Sequence, residues 1–409
     1  MLSAFSWFVP LYKEKTKLMN VLLIADKSII GGATVALINL VDELTNVHQC
    51  NVTVITVQNN DLNIRLDEMG VTNIADYHCE AMQEIRGGRM PKWVRFTKAF
   101  ITLTLSCRKS IHIIEKAVDI ESMDIIHTNS ARTDIGCYLA KKYHKPHVMH
   151  IREFGTLDYE CKFIHPKYIS FLNKTVDQFI SVSEAVRTHW ISLGLDDRKI
   201  QTIYDGVNSS EFDDEPKREQ SPVLRLVCCG TVRKSKGQYQ IIESLSYLPD
   251  EVKNHITLSL YGWVTEKYMN ELNQLAADLN VDRCVRICGV SKNIPTILKE
   301  HDVGITASTA EGFGLTTNEY MLSKLGVIVS NTGANPELIT DGVTGLIYQY
   351  GNSRDLANKI QRFYFDRQLL SYCRENAALY AQENFTSKIN AERIIKKYNE
   401  VIKFKGCAQ

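Results

Sequence analysis

The chain has 409 residues, 23% of them charged and 44% hydrophobic, and a formal net charge of +1. That length exceeds what one ordinary core fills, so two domains are expected, and the balanced charge excludes a nucleic-acid binder working through a basic surface. Apolar runs fall short of the ~20 residues of a membrane-spanning helix, and eleven irregularly spaced cysteines read as free thiols in a reducing, cytoplasmic compartment.

Residues 1–18 are aromatic and broken by Pro10, without the basic start and long apolar core of a signal peptide. They read as an N-terminal extension, or as sequence ahead of a start at Met19. A strand is predicted over 21–25. Gly31 and Gly32 follow in a turn, and then comes a helix with Val35, Leu37, Ile38, Val41 and Leu44 on its apolar face. Strand, glycine turn and helix allow a phosphate to approach the backbone, but the G-x-G-x-x-G pattern of dinucleotide enzymes is missing. Further strands over 51–57, 125–127, 147–151 and 178–182 alternate with helical segments, which predicts an α/β half with a mostly parallel sheet.

Between Arg86 and Lys109 lie seven Lys/Arg (Arg86, Arg89, Lys92, Arg95, Lys98, Arg108 and Lys109), no acid, and the interleaved aromatics Trp93, Phe96 and Phe100. Such a helix can rest on an anionic membrane surface. The blander reading is a solvated basic face over a buried aromatic stripe.

Residues 206–222 are polar, contain Pro216 and Pro222, and read as a linker. The first domain is therefore placed at 19–205, the second at 223–385, and a terminal helix at 386–409. Strands are predicted over 224–229, 256–261, 285–287, 303–307 and 327–330. Cys284-x3-Cys288 has no second ligand pair nearby, so no zinc site is expected. The terminal helix carries Ile389, Ile394, Ile395, Tyr398 and Ile402 on one side.

The most informative stretch runs from Ser308 through Glu311, Gly312, Phe313, Gly314 and Leu315 to Glu319. Its glycines let the backbone approach a ligand closely. A helix starting near Phe313 would turn free N–H groups and a positive dipole end toward an anion. Glu311 and Glu319 flank that end, and carboxylates accept hydrogen bonds from sugar hydroxyls. The spacing suits a ligand with phosphate in the middle and sugar on either side. Otherwise Glu311 is a capping acid and Glu319 an exposed helix residue.

Four blocks then resemble glycosyltransferase family 4, the retaining nucleotide-sugar transferases of GT-B architecture. They are Tyr204-Asp205-Gly206-Val207-Asn208, the turn 230–237, Glu311-x7-Glu319, and 333–337 followed by Asp341-Gly342-Val343-Thr344-Gly345. The resemblance implies two Rossmann-like domains facing a cleft, with the terminal helix crossing back to the first. It also implies a nucleotide-sugar donor, UDP before GDP, carrying a hexose or N-acetylhexosamine. The acceptor would be a polysaccharide or lipid-linked oligosaccharide.

On this resemblance Lys236 faces the donor diphosphate, amides around Gly312, Phe313, Gly314 and Leu315 hold phosphates or sugar, Glu311 contacts the donor sugar, and Glu319 grips the ribose. Gly31 and Gly32 let the first domain approach as the cleft closes. No cofactor is implied and no metal, since no D-x-D pattern occurs.

Thr231 replaces the family's arginine, and Arg233 is two residues on. Arg152 and Glu153 stand where many members carry a His-acid pair. His150 lies two residues earlier, and His127 is a weaker candidate. The neighbour of the acceptor oxygen stays open among His150, Arg152 and Glu153. Competing functions are a non-catalytic sugar-nucleotide-binding subunit and an epimerase or hydrolase on the same fold.

Overall fold

The computed structural model describes residues 18–25, 31–58, 61–75, 81–83, 91–155, 162–165, 167–212, 221–291 and 293–407. The extension 1–17, Arg86, Arg89 and the middle of the predicted linker, 213–220, lie outside the described residues.

The strands of the first half are β1 Asn20–Ile24, β2 Asn51–Ile55, β3 Thr72–Ile74, β4 Met82–Gln83, β5 Ile125–Thr128, β6 His147–Ile151, β7 Lys162–Phe163, β8 Gln178–Ser181 and β9 Ile200–Thr202. Seven form a parallel sheet in the order β3-β2-β1-β5-β6-β8-β9, and β4 pairs antiparallel with β7 in a small ribbon. The helices between them are α1 Gly32–Asp42, α2 Asp61–Glu68, α3 Lys92–Ala117, α4 Ile135–Tyr143, α5 Tyr168–Thr175 and α6 Glu184–Ser192.

The second half contributes β10 Leu224–Cys229, β11 Ile256–Tyr261, β12 Val285–Gly289, β13 Val303–Thr306, β14 Gly326–Ser330 and β15 Leu346–Tyr348. These form a parallel sheet in the order β12-β11-β10-β13-β14-β15. Its helices are α7 Gln238–Ser246, α8 Asp250–Lys253, α9 Glu266–Asp278, α10 Ile294–Lys299, α11 Leu315–Leu322, α12 Asn335–Leu338, α13 Ser353–Phe365 and α14 Arg367–Asn384, and α15 Ser387–Cys407 ends the described chain. Both sheets are covered by helices, as parallel sheets require, and their central strands are continuous apolar runs. β1, β13 and β14 are buried almost throughout.

α15 crosses back to the first domain as expected. Ala391, Ile394, Tyr398 and Val401 join the core built on β1, β2 and α1. The Tyr398 hydroxyl meets His127 Nδ1, and Lys405 Nζ donates to the Lys145 carbonyl at 2.8 Å and to Asp177 at 2.7 Å. The two domain-connecting passages touch each other, since Val207 bridges Thr386 and Asn390 donates to the Tyr204 carbonyl.

Two corrections follow. The sequence reading has no strand for β3, β9 or β15, each three residues long. And Cys107 is disulfide-bonded, against the expectation of free thiols throughout; the other described cysteines are free.

Candidate functional site

Parallel strands deliver their C-terminal ends, and the loops after them, to one side of each sheet, which is where α/β proteins bind ligands. Here the two such sides face one another. The cleft between them encloses about 350 Å³ and is lined from the first domain by Gly31, Gly32, Ala33, Arg152, Val182 and Asp205. From the second domain it is lined by Gly230, Thr231, Arg233, Lys236 and residues 310–316. The sequence-selected glycines, Thr231, Arg233, Lys236, Glu311, Gly312, Phe313, Gly314, Leu315 and Arg152 therefore converge on one space. A larger cavity of about 580 Å³ lies behind the 234–235 turn, lined by Tyr239, Tyr268 and Tyr350. The cleft is the better site, because it alone of the two gathers charged groups from both domains.

β13 carries the chain to the cleft, and α11 begins at Leu315, two residues later than predicted. Gly314 precedes it in the left-handed region with φ of 101°, and no side chain caps the helix. The N–H groups of its first turn are thus without a side-chain cap and turned to the cleft, which suits an anion. Gly312 is packed so closely that an added Cβ would lie 2.5 Å from the Arg152 carbonyl oxygen, across the cleft.

Beside that helix end Lys236 Nζ sits 2.7 Å from Glu311 Oε2. The turn carrying Lys236 is held in place by Thr309 N donating to the Ser235 carbonyl at 2.9 Å. Gln238, buried, donates to the Thr231 carbonyl at 3.2 Å and accepts from Arg233 N at 3.3 Å. Burial alone would raise the pKa of Glu311, but the Lys236 charge and hydrogen bond, with Ser308 and Arg233, bring it below the usual value. The site therefore rests with an ionised carboxylate paired to its own ammonium.

Glu319 does not line this cavity. It lies one turn along α11, and burial, with the charge of Glu211, pushes its carboxyl up to about 7.

On the facing wall, Arg152 is buried at the end of β6. Nη1 meets both oxygens of Asp205 at 2.5 Å, Nε donates to Asn129 Oδ1 at 2.9 Å, and Nη2 is 3.3 Å from His150 Nδ1. Of the three candidates left open by the sequence, only Arg152 lines the cleft. The Glu153 carboxylate is turned inward, accepting from Ser130 Oγ at 2.7 Å, Ala131 N at 3.0 Å and Arg152 N at 3.1 Å. His150 is fully buried against His127, and burial followed by the Arg152 charge depresses its pKa well below the ordinary imidazole range. Both are supports of the wall, not groups facing the cleft.

Asp205, Asn129 and Gln238 had no site role in the sequence reading. Asp205 was within reach, standing in the 204–208 block. Asn129 and Gln238 carry no spacing signal, because only the fold brings them to Arg152 and Thr231. Among the described residues no group of three or more His, Cys, Asp and Glu side chains could hold a metal ion.

Known proteins resemble the chain in sequence and in fold. Glycosyltransferase Family 4 matches residues 30–211, and Glycosyl transferases group 1 matches residues 209–380. A lipopolysaccharide core biosynthesis mannosyltransferase, LpcC of Rhizobium leguminosarum bv. viciae, is 28% identical over 253 residues, 58% of this chain and 68% of the relative. The UDP-Gal:alpha-D-GlcNAc-diphosphoundecaprenol alpha-1,3-galactosyltransferase of Escherichia coli is 27% identical over 299 residues, 66% of this chain and 76% of the relative. In structure, Anabaena Alr3699/HepE in complex with UDP superposes with a TM-score of 0.76 at 20% identity, covering 93% of this chain and 100% of that one. With both domains matched in order and the cleft between them built from the family's motifs, the chain belongs to glycosyltransferase family 4 and is a glycosyltransferase of GT-B architecture.

Proposed function

We propose that this glycosyltransferase moves a hexose or N-acetylhexosamine from a UDP-sugar to a growing polysaccharide or lipid-linked oligosaccharide, with retention at the anomeric carbon. The observation that carries the reading is the Lys236–Glu311 pair beside the uncapped start of α11. An entering diphosphate competes for Lys236 and the first amides of α11, and frees Glu311 to accept hydrogen bonds from the donor sugar. The bond between the anomeric carbon and the diphosphate oxygen breaks as the bond to the acceptor oxygen forms on the same face. The acceptor proton passes to the departing phosphate oxygen. Lys236 and the helix amides meet the developing charge in a partly enclosed cleft, where fixed donors act most strongly. With that positive field and no D-x-D pair in the sequence, we assign the reaction no metal and no other cofactor. The UDP complex of the Anabaena neighbour and the undecaprenol-linked substrate named for the Escherichia coli relative support this choice of donor and acceptor.

Contact with a membrane surface belongs to the same proposal. α3 leaves Trp93, Phe100, Ile101 and Leu105 exposed on one helical face, with Lys98, Arg108 and Lys109 also in solvent. Trp93 is 71% exposed, which argues against the buried aromatic stripe. Among the described residues no helix is long and apolar enough to cross a membrane. A peripheral seat on the cytoplasmic face would bring the cleft to a lipid-linked acceptor.

Calorimetry with UDP and GDP tests the donor assignment. Tighter binding of UDP supports it, tighter binding of GDP replaces the donor, and binding of neither removes the donor-site reading.

A further inference from the structure

Glu337 lies in α12 of the second domain, outside the cleft lining. Its carboxylate accepts the N–H groups of Glu184 at 2.8 Å and Ala185 at 2.7 Å, in the first turn of α6 in the first domain. The remaining cap of that nine-residue helix is intramolecular to it, Ser183 Oγ accepting from Val186 N. Tyr204 lies near the same carboxylate, and burial followed by the Glu337 charge raises the pKa of its hydroxyl. A carboxylate on two amides at a positive helix end is a strong, directional contact. Glu337 is only half-buried, so water can replace these partners when the domains part.

The other end of the same short segment holds the donor loop. Gly333 sits at φ of +57°, and a Cβ there would lie 2.5 Å from Glu311 N and 2.6 Å from Glu311 O. Ala334 N donates to the Glu311 carbonyl at 2.9 Å. Thus 333–337 presses on the backbone of Glu311 at one end and grips the first domain at the other. The loop itself completes the triangle where Gly312 meets the Arg152 carbonyl.

We propose that Glu337 is a positioning residue for sugar transfer: it fastens α6 to the segment bracing Glu311, so that closing the cleft and placing Glu311 are one event. This rests on the donor-site role proposed above for Glu311.

The test combines hydrogen exchange at the amides of residues 184 and 185, in UDP-saturated protein, with steady-state transfer kinetics. Glu337→Ala should speed exchange at those amides and lower kcat, each by ~10-fold, the scale of losing charged hydrogen bonds, with UDP affinity nearly unchanged. Glu337→Gln, which keeps the shape and one acceptor oxygen, should fall between the two. Unchanged kcat in Glu337→Ala would overturn the proposal, and so would a loss of activity that only mirrors a loss of folded protein. Glu311→Ala is assayed alongside. If it is inactive while Glu337→Ala turns over normally, only the latch fails; if it is fully active, the donor-site reading fails and the latch with it.

Discussion

Two ion pairs face each other across the cleft, and they differ in kind. Arg152–Asp205, on the first domain, has side-chain exposures of 3% and 6%, and its arginine is also bonded to Asn129 and His150. Lys236–Glu311, on the second domain, has exposures of 27% and 16%, and it lies beside a helix start that no side chain caps. A sealed pair with several partners holds a wall in shape; breaking it by removing one member leaves a buried charge. An accessible pair with few partners is a resting state that a charged ligand can exchange. The first domain thus supplies a rigid face and the second the groups that meet the donor.

The largest effect that separates the two is on turnover. Lys236→Met should lower kcat/KM for transfer by ~100-fold or more, because a unit charge near the diphosphate is worth about 4 kcal/mol at an effective dielectric of 20. Glu311→Ala should lower turnover by at least ~10-fold, as charged hydrogen bonds contribute about 1.5–3 kcal/mol each. Full activity in either variant would erase the distinction drawn here.

On the other wall the expected loss is stability. Asp205→Asn leaves Arg152 buried without its carboxylate, and breaking such a pair destabilises by about 3–5 kcal/mol. That appears as a melting temperature lower by roughly 6–20 °C. A melting temperature equal to wild type would mean that the sealed pair is not structural.

A smaller effect tests Glu319. Its pKa is raised in the folded protein, so over the window from the ordinary carboxylate value to about 7 the folded state holds a proton that the unfolded state has released. Stability therefore falls as pH rises through that window and is level above it. Chemical denaturation of wild type and Glu319→Gln at pH 4.5 and pH 7.5 should show stability falling further in wild type, by an amount of order 1–3 kcal/mol before solvent screening is allowed for, because the other buried titrating groups, Asp134 with its carboxyl pushed up to about 7 among them, are common to both proteins. An equal fall in both would show that Glu319 does not contribute to it.

The smallest expected effect lies far from the cleft. Replacing Trp93 alone by Ser should weaken association with anionic liposomes by roughly 1 kcal/mol, and leave melting unchanged. Unaltered liposome association would remove the membrane contact.

How much of this was legible in the sequence depends on what each feature needs. The central strands announce themselves as apolar runs, because both faces of a parallel sheet are covered. β3, β9 and β15 lie at or beside sheet edges, are only three residues long, and offer no such run. The second-domain half-site was legible because Lys236, Glu311 and Gly314 act through local turn chemistry and one helix start. The first-domain wall was not. Glu153 and His150 look chemically able, yet the fold turns one toward Ser130 and buries the other beside His127. His150 and Arg152 stand two positions apart, a spacing that puts side chains on one side of an extended chain, and the two meet at 3.3 Å. That spacing does not say which of them reaches solvent. Asp205 and Asn129 lie 53 and 23 positions from Arg152, a separation that no local pattern encodes.

The sharpest single measurement is UDP binding by calorimetry, paired with thermal melting, on Lys236→Met and Asp205→Asn. If the accessible pair receives the donor and the sealed pair holds the wall, Lys236→Met weakens UDP by ~100-fold and melts close to wild type. Asp205→Asn melts several degrees lower, with UDP affinity within about threefold of wild type where it remains folded, since the groups assigned to the donor lie on the facing domain. The reverse pattern, with Lys236→Met binding UDP normally and Asp205→Asn losing UDP without losing stability, would contradict the division of labour between the two walls.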